Sequence, residues 1–215
     1  MDSCGPMSSP VTQGQIVMTL VIGDITISVD GFVTGPGADP EHGLGLDADG
    51  LHAWALDSGD PVDQGVLERH TAASGAVVMG RRTFDTVDGA WSVERGYGAD
   101  RDGRPPFFVV TSHAPESYRL AESHDFTFVL DGPAGAIERA RSAAGDRDVF
   151  VMGGGRLIGS CLRDGLLDEL RLHVSPEVLG AGTPLFDGVG RHRLQQIAVE
   201  VSPVCTHLTY RVARA

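Results

Sequence analysis

The chain has no lysine: all 17 of its basic residues are arginine. That excludes a Schiff-base lysine, a pyridoxal phosphate anchor and the lysine of a Walker-type phosphate loop. Cysteine is almost as scarce. Cys4, Cys161 and Cys205 make no disulfide framework, and no pair of them has metal-site spacing. No apolar run approaches the ~20 residues of a membrane helix. The N-terminus lacks a basic segment followed by an apolar one, so no signal peptide is read and a reducing cytoplasm is the expected location. Positive charge is short overall, with 29 acidic residues giving a formal charge of −12. This argues against a nucleic-acid or anionic-membrane partner, yet a local arginine can still dominate a small pocket. The eight histidines show no H-x-x-x-H or H-x-H spacing, so no metal is expected. The G-x-S-x-G of serine hydrolases and the zinc-deaminase pattern are both missing.

What is present is an alternation of apolar runs and helical patterns. At 215 residues, 41% hydrophobic, the chain can build one sizeable core. Residues 1–14 are polar and rich in Gly, Pro and Ser, and read as a disordered tail; 15–215 read as one domain. "IVMTLVIGDITISVDGFV" (16–33) reads as one long strand. Further strands are expected at 76–80, 107–112, 126–130, 148–154 and within 167–179, with a closing hairpin of 193–203 and 205–213. Helical segments are expected at 52–56, 61–73, 82–87, 134–144 and 156–164, and polar loops at 34–50 and 93–106. That order predicts a three-layer α/β/α fold, its central sheet mostly parallel with an antiparallel C-terminal edge.

In such sheets ligands sit beyond the carboxyl ends of the strands. Three strand ends stand out: Gly80-Arg81-Arg82-Thr83, Thr111-Ser112-His113 and Gly153-Gly154-Gly155. The glycines suit either a ligand pressed against bare backbone or a tight strand-to-helix turn. Arg81 can grip a phosphate with two parallel N–H bonds or be a surface arginine, and Thr83 can bind phosphate or cap a helix. Taken together, the three ends match the charge layout of a dinucleotide with an extra 2′-phosphate.

"VVMGRRTFD", "FFVVTS" and "VFVMGGGRLI", in this order and each at a strand end, resemble the dihydrofolate reductase-like superfamily. "SVDGFVTGP" (28–36) is similar to the first-strand exit of that fold. "GLLDELRLHVSPEVLGAGTPLF" (165–186) is similar to the reductase domain of the bifunctional riboflavin biosynthesis protein and its stand-alone bacterial relatives. The resemblance spans residues 16–213. It implies an NADPH-dependent reductase that passes a hydride to a small heteroaromatic (pterin- or pyrimidine-like) or keto substrate. The alternative is an NADP-binding protein without turnover. By matching motif positions, Arg81 would bind the 2′-phosphate, with Gly80, Arg82 and Thr83 toward the pyrophosphate. Thr111 and Ser112 would lie at the adenosine end, and Gly153, Gly154, Gly155, Arg156 and Leu157 would wrap the pyrophosphate. Ile25, Thr26, Val33, Thr34 and Gly35 would line the nicotinamide. Homodimerisation through late edge strands is also implied.

The family's pterin-gripping carboxylate falls, by counting, on Gln64; Asp63, one residue away, points elsewhere on a helix. His173 alternates with Leu172 and Val174, and either orients substrate and relays a proton or is a hydrogen-bonded sheet histidine. His207 has a similar strand position. Trp54 and Trp91 stack on an aromatic substrate or pack in the core. Asp57, Asp60 and Asp63 read as solvated acids, any of which can supply a proton.

Overall fold

The computed structural model describes residues 19–89 and 105–213. The expected tail, Cys4, Trp91 and most of the 93–106 loop lie outside the described residues. In chain order the elements are β1 (Val21–Ile27), β2 (Phe32–Thr34), α1 (Ala53–Leu56), α2 (Pro61–Ala73), β3 (Ser74–Gly80), α3 (Arg81–Asp88), β4 (Phe107–Val110) and β5 (Phe126–Val129). They continue with α4 (Gly132–Ala144), β6 (Asp148–Met152), α5 (Gly155–Arg163), β7 (Glu169–Val174), β8 (Thr183–Pro184), β9 (Leu194–Val201) and β10 (Thr206–Val212).

Eight strands make one sheet in the order β5-β4-β3-β6-β1-β7-β10-β9. All pairings from β5 through β7 are parallel; β10 runs antiparallel to both β7 and β9. Central parallel strands are covered on both faces, which is why β3 reads as an unbroken buried run. One face carries the main core, where Ile137 and Ala140 of α4 and Ile158 and Leu162 of α5 pack on Val21, Val78, Val149 and Leu170. On the other face, Phe84 and Val87 of α3 cover Val77, Met79, Val109 and Phe126. Beside them α1 and α2 cover β1, β7 and β10 through few apolar contacts; Trp54, Val66 and Cys205 form the small cluster there.

Local chemistry sets the element ends. The Asp60 carboxylate accepts the Val62 N–H at 2.8 Å, and Pro61 begins α2 without needing a partner for its nitrogen. One expectation fails: 16–33 is not a single strand. β1 stops at Ile27, and Ser28–Gly31 form a turn in which Ser28 Oγ donates to Asp30 Oδ1 at 2.6 Å and accepts the Phe32 N–H at 3.0 Å. Gly31 supplies the positive φ of +86° that the turn needs. β2 then leaves the main sheet and pairs with β8 in a two-stranded ribbon. The alternating residues 27–33 fit a strand by period alone; the Asp-Gly pair decides otherwise.

Candidate active site

β4, β3 and β6 are neighbours in the sheet, so their carboxyl ends lie side by side. The first turn of α3 ties them together. Thr83 Oγ1 accepts the Gly154 N–H at 2.8 Å, across to the exit of β6. Arg81 Nη1 donates to the His113 carbonyl at 2.9 Å, across to the exit of β4, while its Nε donates to Asp85 Oδ1 at 2.7 Å. The three strand ends picked from the sequence are thus one surface. Asp85 holds the guanidinium in place and offsets part of its charge.

The glycines are explained first by packing. Gly153 has φ +61°, and a Cβ there would sit 3.0 Å from Thr83 Cγ2; a Cβ on Gly155 would sit 3.0 Å from Val33 Cγ2. α5 nevertheless starts at Gly155 with no side chain capping its first turn. Among the residues expected to hold a cofactor, Arg82, Ser112 and Arg156 are exposed at the rim. Arg82 lines a groove of about 310 Å³ with Gly35, Gly182 and Thr183. The Thr34 hydroxyl is buried without a hydrogen-bond partner. Thr111 is turned inward, its hydroxyl donating to the His113 carbonyl at 2.8 Å. Ile25, Val33 and Leu157 are core side chains, which leaves only their main chain for a ligand.

The second half of the site lies under α1 and α2. Residues 24 and 26 of β1 and 171 and 173 of β7 share the face opposite the main core, by strand alternation. Asp24 pairs across the sheet with Met152, one residue before the glycine turn. His173 Nε2 meets Asp24 Oδ1 at 3.1 Å, and His173 Nδ1 meets His207 Nδ1 at 2.7 Å. His207 Nε2 meets Asp63 Oδ1 at 2.8 Å. Ser58 Oγ donates to the other Asp63 oxygen. His70, half-buried on α2, brings Nδ1 to 2.9 Å from Asp24 Oδ2. Asp24, His70 and His173 each place one donor atom within 4.8 Å of the others, a grouping that no histidine spacing in the sequence announces.

Burial alone would raise the Asp24 carboxyl, but the His173 and His70 rings outweigh it and hold the group far below the usual carboxylate range. Burial likewise works against Asp63, and hydrogen bonds with Ser58, His207 and Ser202 hold it low. Burial pushes His207 down, against Asp63. The Cys205 thiol is pushed up to about 12 by burial and then by Asp63, so it stays protonated, with Sγ 3.7 Å from His207 Nδ1.

Two expectations are corrected here. Gln64 is exposed on the outer face of α2, and the buried acid is its neighbour Asp63, at 0% exposure. Counting from β3 missed the helix phase by one residue. Trp54 is 7% exposed, donates Nε1–H to Thr26 Oγ1 at 2.9 Å, and lies with its ring centroid 4.2 Å from that of His173. It roofs the histidines and is not open to stack on a substrate. His173 sits at the centre of the network, as its strand position suggested; Asp24 and His70 carried no sequence signal of their own.

Residues 19–208 match the RibD C-terminal domain family, and the chain belongs to that family, one of NADPH-dependent reductases. The uncharacterized protein YyaP of Bacillus subtilis is 25% identical over 84% of each chain. A provisionally named riboflavin biosynthesis protein from Shewanella sp. PV-4 is 25% identical, with TM-score 0.67 over 91% of this chain and 100% of that one. The dihydrofolate reductase of Enterococcus faecalis, complexed with NADP(H), is 14% identical with TM-score 0.53 over 91% and 97%, a likeness of fold. The fold is dihydrofolate reductase-like. Among the described residues no helix is long and apolar enough to cross a membrane.

Proposed function

We propose that this protein is an NADPH-dependent reductase acting on the C=N or C=O group of a small heteroaromatic or keto compound. One observation carries the reading: the first turn of α3 hydrogen-bonds to both neighbouring strand exits, so Arg81, Thr83 and the Gly153–Gly155 turn form one surface. The residues fit a dinucleotide on three counts. Arg81 Nη2 has no hydrogen-bond partner among the described residues. The uncapped start of α5 offers N–H groups suited to a phosphate. The orphaned Thr34 hydroxyl lies beside Gly35 at the groove. Arg81 and Ser112 would take the ribose phosphate, and the glycine turn with Arg82 the pyrophosphate. When bound, the cofactor supplies a hydride. The chain's own work is to hold the acceptor beneath α2, exclude water and manage the accompanying proton.

A second reading, NADP binding without turnover, is favoured by Asp63, whose carboxylate is spent on His207 and Ser58 and is unavailable to a pterin ring. Calorimetry and NADPH oxidation separate the two. NADP at a hundredfold excess over Kd should raise stability by about 2.7 kcal/mol, and the reductase should then oxidise NADPH with a pterin, pyrimidine or dicarbonyl acceptor. Binding with no oxidation supports the second reading; no binding of NADP sinks both.

The partner proposed for the edge of the sheet is a second copy of this chain. Val199 and Val201 lie on one face of β9 at 46% and 61% exposure, and Ile197, 40% exposed, stands at the bulge beside them; these are apolar residues on an edge strand that a symmetric partner would cover. Sedimentation is expected to read a dimer at micromolar concentration, and a monomer there removes the assignment.

A further inference from the structure

The buried contacts between Asp24 and Asp63 can be counted in protons. Three close contacts run in series, Asp24 to His173, His173 to His207, and His207 to Asp63, at 3.1, 2.7 and 2.8 Å. A hydrogen bond needs one proton between two heavy atoms, so the series needs three. Two neutral imidazoles bring two. With both carboxylates ionised, each spends its single N–H on its own carboxylate, and two bare Nδ1 lone pairs would then face each other at 2.7 Å. His173 and His207 are 1% and 4% exposed, so no water separates them from this clash.

We propose that the His173–His207 pair holds one proton more than two neutral imidazoles carry, and that this proton, delivered from His173 Nε2 through Asp24, completes reduction of the acceptor. The delivery step rests on the reductase reading; the stored proton does not. Burial pushes His207 down, so within the pair the extra proton sits on His173. His173 is therefore the ring with two N–H groups, donating Nδ1–H to His207 and Nε2–H to Asp24. The charged and titratable groups facing the pair are Asp24 on β1, Asp63 and His70 on α2, Cys205 before β10, Arg171 on β7, itself paired with Glu169, and Glu200 on β9, itself paired with Arg69. Two carboxylates inside a nearly closed space are what one buried cation requires.

The step balances as follows. A hydride adds to the acceptor carbon, and the π pair of the C=N or C=O bond moves onto the heteroatom. The proton passes from His173 Nε2 to the Asp24 carboxylate and on from Asp24 to the heteroatom, so Asp24 ends ionised as it began. His173 is left neutral, still donating Nδ1–H to His207. Its bare Nε2 then faces the Asp24 carboxylate, an unfavourable arrangement that draws a proton back from solvent. Asp24, 17% exposed and next to Met152 before the glycine turn, is the least buried member of the series. His70 flanks it from the α2 side. His207 acts through His173 and is a positioning residue.

The test begins with the full chain labelled with 15N-histidine, without ligand, at pH 8, where an isolated imidazole (about 6.5) is almost wholly neutral. Long-range proton–nitrogen spectra should show one ring with both nitrogens protonated. That signal should vanish in His173→Gln and His207→Gln. It should persist in His42→Gln and in His70→Gln, since His42 with Asp39 and His70 with Asp24 are the imidazoles outside the pair that meet a carboxylate. If the buried variants do not fold, scalar coupling across the Nδ1–Nδ1 bridge in the unmodified chain makes the assignment. Two buried rings, each with one bare nitrogen and no coupling, overturn the proposal. The delivery step is read from NADPH oxidation with dihydrofolate, a 5-aminouracil and an α-diketone as acceptor probes. His207→Gln should lower kcat by about tenfold or more at pH 8, much less at pH 6, with KM for NADPH unchanged; a uniform loss at both pH values overturns delivery. If the doubly protonated ring is present while calorimetry finds no NADP binding, the reductase reading and delivery fail together and the stored proton stands.

Discussion

Replacing Asp63 with alanine is expected to destabilise the fold at neutral pH by about 1–3 kcal/mol for each of the two buried donors it leaves without an acceptor. Asp63 is fully buried and accepts from His207 Nε2 and from Ser58. Without it, two donors on different elements lose their acceptor where water does not reach. The change also cuts the tie between α2 and β10. Asp63→Asn keeps an acceptor oxygen and should cost less. The effect depends on pH with a definite sign. The folded environment holds the Asp63 carboxyl below its ordinary value. Its stabilisation is therefore complete above about 3.9, the unfolded value, and is lost as pH falls through the lower folded one. Urea unfolding of the two proteins at neutral and acid pH measures the difference, which should shrink on acidification. A loss under about 1 kcal/mol at pH 7 would mean that His207 and Ser58 find other acceptors on relaxation.

Arg81→Ala should raise KM for NADPH roughly 10- to 100-fold and leave KM for NADH within a few-fold. Charge-assisted hydrogen bonds are worth about 1.5–3 kcal/mol, and each 1.4 kcal/mol is tenfold. Two of the three guanidinium nitrogens are already committed, to Asp85 and to the His113 carbonyl, and these fix the direction of the third. That fixed geometry is why lysine should not restore the preference in Arg81→Lys. The side chain is partly exposed, so the structural cost of losing its pair with Asp85 is about 1 kcal/mol or less. Equal losses with both cofactors would remove Arg81 from the ribose-phosphate end, and the comparison is a pair of steady-state titrations.

The parts of the fold legible in the sequence are those written in local pattern. β3, β6 and α2 fall within a residue or two of expectation because an apolar run, or Asp60-Pro61 at a helix start, marks each of them. The strand ends at Gly80, Thr111 and Gly153 were visible for the same reason. Where period and turn chemistry conflicted, as over 27–33, the period was misleading and the Asp30-Gly31 turn prevailed. β2 and β8 were missed because a ribbon of three and two residues has almost no periodicity to read. The proton network was legible only at His173 and, weakly, His207. Asp24 and His173 are 149 residues apart and meet because β1 and β7 are neighbours in the sheet. Asp63 and Gln64 differ by one residue and by a hundred degrees of helix, and no count along the chain could choose between them.

α2 has an uneven hold on the molecule. Of its thirteen residues only Asp63 and Val66 are buried, so this helix is moored by polar bonds more than by oil-like contact. Such a segment lifts away at lower free energy than the strands beneath it. The covering of the histidine network is thus also its most detachable wall.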